Sequence, residues 1–235
     1  MAPPALESAV ASRSMAAAAE PGIAVFDLDG TISRRGTLAP YVIRLLAKRP
    51  WRWLRIVKVA PALLAYLRGR LDRGALKAQL LQKMLHGYGR AELDAWTARF
   101  VPALIARGLR RDALRTIEAH RRRGDRLVLL SASPDLYVPA VGARLGFDET
   151  LCTGLSWSGD RLDGGLVTPN RRGPEKAFCV QALKRRYPGR LVAAYGNEGA
   201  DLAHLVLADR PLLVCGSRVT RRRAARAGIP TARWQ

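Results

Sequence analysis

The chain has 235 residues, 49% hydrophobic and 25% charged, and its 40 Lys and Arg against 19 Asp and Glu leave a net charge of +21. That length and apolar content exclude a chain disordered throughout and allow one substantial domain, or a core with a smaller inserted unit. The charge concerns partners rather than fold: it favours nucleic acid, acidic lipid or phosphorylated substrates.

Residues 1–20 are small and weakly patterned and read as a flexible N-terminal arm. They lack the basic start and long apolar run of a secretory signal. No stretch reaches 18 uncharged apolar residues, so no conventional membrane-spanning helix is expected. Cys152, Cys179 and Cys215 are scattered with no CxxC pair, which fits buried thiols in a reducing compartment. The expected location is the cytoplasm.

The first apolar run, 22–27 "GIAVFD", ends in Asp and reads as a buried strand feeding a loop. Helical patterns then fill a long insertion, 36–115, read as an all-helical cap domain. Residues 34–73 carry eleven Lys and Arg and a single acid, Asp72. Trp53, Ile56, Val57, Ala60, Leu63, Leu64 and Leu67 recur there at helix spacing, with Pro50 and Pro61 as breaks. With Trp51 and Trp53 beside arginines, this segment suits peripheral contact with an anionic membrane at its inner face. The other reading packs the apolar stripe onto the rest of the cap and leaves the arginines to solvent.

Strand patterns return at 125–133, 189–197 and 210–217, with helical patterns at 134–145, 174–187 and 217–228. Residues 151–170 carry turn signals and suit a β-hairpin. Buried strands alternating with helices predict an α/β fold: a parallel sheet sandwiched by helices, with ligands at the carboxyl ends of the strands. Asp27, Ser131 and Asn197 all fall at such ends. The core then comprises 21–35 and 116–235.

Asp27 and Asp29 stand two apart at the end of the first strand, spaced to approach one site. Two carboxylates that close repel unless a cation neutralises them, and Mg²⁺ takes one or two carboxylates plus phosphate oxygens and water. Gly30 permits a tight turn, and its amide and that of Thr31 can face an anion. Phosphoryl transfer needs a nucleophile, a cation and positioned donors. Asp27 suits the nucleophile and Asp29 the acid and base. Ser131 suits a phosphoryl donor, Lys176 a charge neutraliser, and Asn197 and Asp201 the metal's shell.

In order, "FDLDGT", "LLSASP", Lys176 in "GPEKAF" and "YGNEGADL" resemble the four motifs of the haloacid dehalogenase-like hydrolases. The resemblance spans about residues 22–215. The long insertion, and the hairpin before the lysine, are similar to the phosphoserine-phosphatase-like subgroup. It implies a Mg²⁺-dependent phosphomonoester hydrolase on a Rossmann-like core, working through an aspartyl-phosphate. Asp27 would be the nucleophile, Asp29 the acid and base, and Ser131 and Lys176 further catalytic groups. Gly30, Thr31 and Ala132 would line the phosphate site. Asp27, Asp29 (through its carbonyl), Asn197 and Asp201 would serve the metal. The family commonly has Asp where this chain has Asn197. The basic start of the cap resembles the bacterial phosphatidylglycerophosphatase C type, which implies a phospholipid head-group phosphate as substrate. A small soluble substrate such as phosphoserine is the alternative. A catalytically weak nucleic-acid-binding protein is the other class, and it is disfavoured because the aromatics lie in an apolar stripe. His86, His120 and His204 show no metal spacing.

Overall fold

Six parallel strands carry the architecture in the computed structural model, which describes residues 20–71 and 73–235. In chain order these are β1 (Ile23–Phe26), β2 (Arg126–Pro134) and β3 (Glu149–Thr153); a separate hairpin, β4 (Leu155–Ser158) and β5 (Arg161–Leu166); then β6 (Val192–Gly196), β7 (Arg210–Val214) and β8 (Thr231–Ala232). The sheet order is β3-β2-β1-β6-β7-β8. β1 lies between β2 and β6, with Phe26 opposite Leu129 and Tyr195. Its carboxyl end, and hence Asp27, is flanked by the ends of both neighbours.

Alternation along the strands splits the core in two. Ala24, Phe26, Leu127 and Leu129 face one layer; Ile23, Val25, Val128 and Leu130 face the other. All eight are essentially inaccessible to solvent. A sheet buried on both faces requires unbroken apolar runs, which is why these strands were legible as such.

Helices fill the chain between β1 and β2. They are α1 (Leu38–Leu46), a 3₁₀ helix (Pro50–Val59), α2 (Ala60–Leu67), α3 (Arg73–Leu85), α4 (Arg90–Gly108) and α5 (Arg111–Arg122). The last spans residue 115 and packs against β2. After β2 come α6 (Val138–Arg144), α7 (Pro174–Arg186), α8 (Leu202–Leu205) and α9 (Arg218–Arg226). The predicted arm, 1–20, lies outside the described residues apart from Glu20.

Two features differ from the sequence expectation. The start of the predicted hairpin, 151–153, belongs to Glu149–Thr153, the edge strand of the main sheet, and the hairpin proper begins at Leu155. A half-buried edge strand and a hairpin arm look alike in a short, weakly alternating run. The hairpin also packs on the helical insertion: Leu162 N–H donates to Tyr88 O at 2.9 Å, and Gly87 N–H to Leu162 O at 2.8 Å. Gly164, at φ +87°, lets the hairpin approach α3, where a Cβ would stand 2.8 Å from Gln82 Cα.

The second difference is the helix type over Pro50–Val59. At three residues per turn, side chains three apart share a face. Trp51, Leu54 and Val57 therefore form one face, Trp53, Ile56 and Val59 a second, and Arg52, Arg55 and Lys58 a third. Of the predicted apolar stripe, Trp53, Ile56, Val57, Leu63, Leu64 and Leu67 all remain exposed. Arg52 is buried instead, its guanidinium 3.9 Å from the Tyr88 ring centre.

Candidate active site

Asp27 leaves β1 in extended conformation (φ −73°, ψ 153°), and the chain then makes a wide turn over Leu28–Ile32. Ser33 closes it, its amide and hydroxyl both donating to Leu28 O at 2.9 Å. Gly30 sits at φ +86° inside this turn, and a Cβ there would collide with the Asn197 amide. Glycine is thus needed both for the backbone conformation and for the close approach of the β6 loop.

The turn brings the predicted acids to the floor of a cavity of about 580 Å³. Asp27, Asp29, Lys176, Asn197 and Asp201 all line it. Lys176, from the first turn of α7, donates to Asp27 Oδ1 at 2.6 Å and Asp201 Oδ1 at 2.7 Å. All three are buried. The other Asp201 oxygen accepts the amides of Asn197 at 2.9 Å and Glu198 at 2.8 Å. Thr31 Oγ1 donates to Asp27 Oδ2 at 2.9 Å and lies 3.4 Å from Asn197 Oδ1.

The electrostatics follow from two buried carboxylates sharing one ammonium. Burial pushes Asp27 up to about 7, with Asp201 and Asp29 adding to the rise and Lys176 opposing it. Burial also acts to raise Asp201, but the Lys176 charge, helped by the Glu198 amide, brings it down to about 2. Lys176 is held firmly protonated: the two acids outweigh its burial. The cluster is short of positive charge at Asp27, which a further cation would supply.

The donor set suits Mg²⁺. Asp27 and Asp201 offer carboxylate oxygens, Asn197 an amide oxygen, and the Asp29 backbone a carbonyl. Among the described residues no three His, Cys, Asp or Glu side chains converge as a closed cage. Mg²⁺ needs none, because it shares few carboxylates with substrate phosphate and water.

Asp29 does not lean on Asp27. Its Oδ1 accepts the Thr37 amide at 2.5 Å and hydroxyl at 2.7 Å, and its Oδ2 accepts the Ser133 hydroxyl at 2.5 Å. Two hydroxyls thus aim the second acid while it still lines the cavity. Ser131 is fully buried, and its recorded hydrogen bond is accepted from the Ser133 amide at 3.1 Å. Ala132 and Ser133, rather than Ser131, line the cavity at this strand end. The Gly30 amide points at Ser33 Oγ, 3.3 Å away.

Several lining residues carried no distinct signal in the sequence. Thr37 is one hydroxyl among many, and Ser133, the second serine of "LLSASP", takes no role of its own in that motif. Lys77 was one cation in a basic helix, yet its Nζ reaches Ala132 O at 2.5 Å, and burial pushes it down to about 8 despite the opposing charge of Asp29. Arg172 pairs with Glu198 at 2.7 Å, so the acid beside Asn197 is engaged with an arginine. His204 lies fully buried, Nδ1 4.0 Å from Asp201 Oδ1, with neither ring nitrogen hydrogen-bonded. The remaining wall is apolar and comes from the insertion, including Val42, Leu46, Trp53, Ile56, Leu80 and Met84.

A parallel sheet that presents Asp27 and Asp29 at its central strand end, with Lys176 and Asp201 beside them, defines a hydrolase of one family. Residues 24–205 match the haloacid dehalogenase-like hydrolases, and the chain belongs to that family. It is 33% identical over 191 residues to Protein CicA of Caulobacter vibrioides, covering 81% of this chain and 84% of that one. Among solved structures it is similar to a Bordetella pertussis Tohama I protein of unknown function: TM-score 0.75, 21% identity, covering 90% of this chain and 97% of the other. A probable phosphoserine phosphatase from Vibrio cholerae superposes with TM-score 0.70 at 17% identity, covering 92% of this chain and 61% of that one. At these identities the two structures speak for the fold.

Proposed function

We propose that this hydrolase is a Mg²⁺-dependent phosphomonoesterase that works through an aspartyl-phosphate on Asp27, and that its substrate is the head-group phosphate of an amphiphile. The observation that carries the reading is the cavity itself. Its floor holds the Asp27–Lys176–Asp201 cluster, and most of the lining that the insertion contributes is apolar. A phosphate fits the floor, and a hydrocarbon-bearing leaving group fits the wall better than a zwitterionic amino acid does.

In this reading Asp27 attacks phosphorus in line with the leaving oxygen, forming the Asp27–phosphate bond as the ester P–O bond breaks. Asp29, aimed by Thr37 and Ser133, gives a proton to that oxygen. It then takes one from the water that cleaves the acyl phosphate and releases inorganic phosphate. Lys176 holds Asp27 in the attacking rotamer and offsets charge on the phosphoryl oxygens. Asp27, Asp201, Asn197 and the Asp29 carbonyl would hold Mg²⁺, which would supply the positive charge the carboxylate cluster lacks. The insertion acts as the cap, with Lys77 as its charged contact to the β2 loop and its apolar side chains excluding water.

The test compares Mg²⁺-dependent phosphate release from phosphatidylglycerophosphate in mixed micelles with release from phosphoserine, with Asp27→Asn as control. Release from the lipid, absent in the control, is expected. Release from phosphoserine alone would replace the amphiphile by a small soluble substrate. No release above the control from any phosphomonoester would remove the catalytic reading.

A further inference from the structure

The insertion leaves a large apolar surface uncovered. Trp51, Leu54 and Val57, on one face of the 3₁₀ helix, are 63%, 76% and 70% exposed, and Leu67 at the end of α2 is 70% exposed. Isolated exposed apolar residues are ordinary, but several on one short segment mark an interaction site. The neighbouring face of the same helix, Trp53 and Ile56, lines the cavity. Lys58 on the third face of the same helix is exposed, and so are Arg68 and Arg70 just after Leu67.

We infer that this face, centred on Leu54 and Val57, docks on an anionic lipid bilayer and brings the cavity mouth to the membrane surface. Charge complementarity selects that occupant. Residues 34–73 hold eleven Lys and Arg against one acid, which matches a negatively charged leaflet. Two copies meeting through this face would set like charges together. A nucleic acid would use the cations but leave Leu54 and Val57 in water. Among the described residues no helix is long and apolar enough to cross a membrane, so the contact is interfacial: apolar side chains enter the head-group boundary and cations face the phosphates. The inference deepens the amphiphile reading of the cavity, but its test does not require catalysis.

The full chain is sedimented with phosphatidylcholine vesicles, with and without phosphatidylglycerol, at low and high salt. Binding only to the anionic vesicles, falling steeply with salt, is expected. Leu54→Glu with Val57→Glu should weaken it by on the order of tenfold or more. Lys58→Gln should weaken it about fivefold, and so should Arg68→Gln. Arg222→Glu with Arg226→Glu, on α9, should not. Hydrolysis of p-nitrophenyl phosphate, a soluble ester, should be unchanged in all of them, which also reports that they fold. No binding to anionic vesicles at low salt would overturn the inference. So would equal loss from the α9 pair, dimers that dissociate with the Leu54 and Val57 changes, or duplex DNA binding without vesicle binding. Vesicle binding by a chain that hydrolyses no phosphoester would keep the docking face and sink the phosphatase.

Discussion

Lys176 Nζ lies 2.6 Å from Asp27 Oδ1, across 149 residues of sequence, with both side chains buried. The same ammonium reaches Asp201 at 2.7 Å, so one cation holds an acid at the end of β1 and another at the start of α8.

Removing that cation should therefore cost stability as well as activity. Lys176→Met leaves two buried carboxylates facing each other, and breaking such a pair costs roughly 3–5 kcal/mol. The expected melting temperature falls by on the order of 10 °C, and added Mg²⁺ restores part of it. An unchanged melting temperature would show that the lysine does not hold the cluster's charge in balance.

His204 makes stability fall with acid. Burial, then the nearby Lys176 charge, hold it down at about 3 against an ordinary 6.5, with Asp201 opposing. Below 6.5 the unfolded chain takes up a proton that the folded chain refuses. The contribution of His204 to stability is thus full above 6.5 and is lost as pH falls toward 3, by up to about 1.4 kcal/mol per pH unit. Asp27, raised to about 7, takes up a proton in the folded chain over the same range and opposes this, so the readout is the difference: from about pH 7.5 to about pH 5 the urea midpoint of His204→Leu should gain on that of the wild type. Parallel slopes would remove His204 as the cause.

Asn197 offers the metal an amide oxygen where a carboxylate would add a charge. Asn197→Asp should keep phosphatase activity and lower the Mg²⁺ concentration for half-maximal rate, because the site gains a negative ligand. The new carboxylate still faces the Thr31 hydroxyl, now 3.4 Å from Asn197 Oδ1. A large loss of rate at saturating Mg²⁺ would contradict the assignment of Asn197 to the metal.

Gly30→Ala should damage both loops at once. The φ of +86° disfavours any Cβ by about 1–2 kcal/mol, and that Cβ would also displace the Asn197 side chain. The expected result is a lower melting temperature together with a higher Mg²⁺ concentration for half-maximal rate. Wild-type Mg²⁺ dependence in a folded Gly30→Ala protein would show that the Asn197 position does not matter.

What the sequence determined by itself was the sheet and the ends of its central strands. Apolar runs such as "IAVF" and "LVLL" can only be buried on both faces, and Asp27, Lys176, Asn197 and Asp201 lie close to strand or helix ends that a parallel sheet gathers at one edge. What only the tertiary structure decided was which neighbours finish the site and what the insertion exposes. Thr37, Lys77 and Ser133 are common residue types with no local signature, and contacts across up to 104 residues make them part of the cavity. The edge strand at Glu149–Thr153 was hidden because an edge is half-buried and lacks a full apolar run. The Pro50–Val59 segment shows the limit most plainly. Its composition allowed an amphipathic helix with one apolar stripe, but at three residues per turn the same side chains divide into a cavity face, a basic face and an outward apolar face. Arg52 packs on Tyr88 and Val59 lies in the core, contacts beyond any local window of sequence.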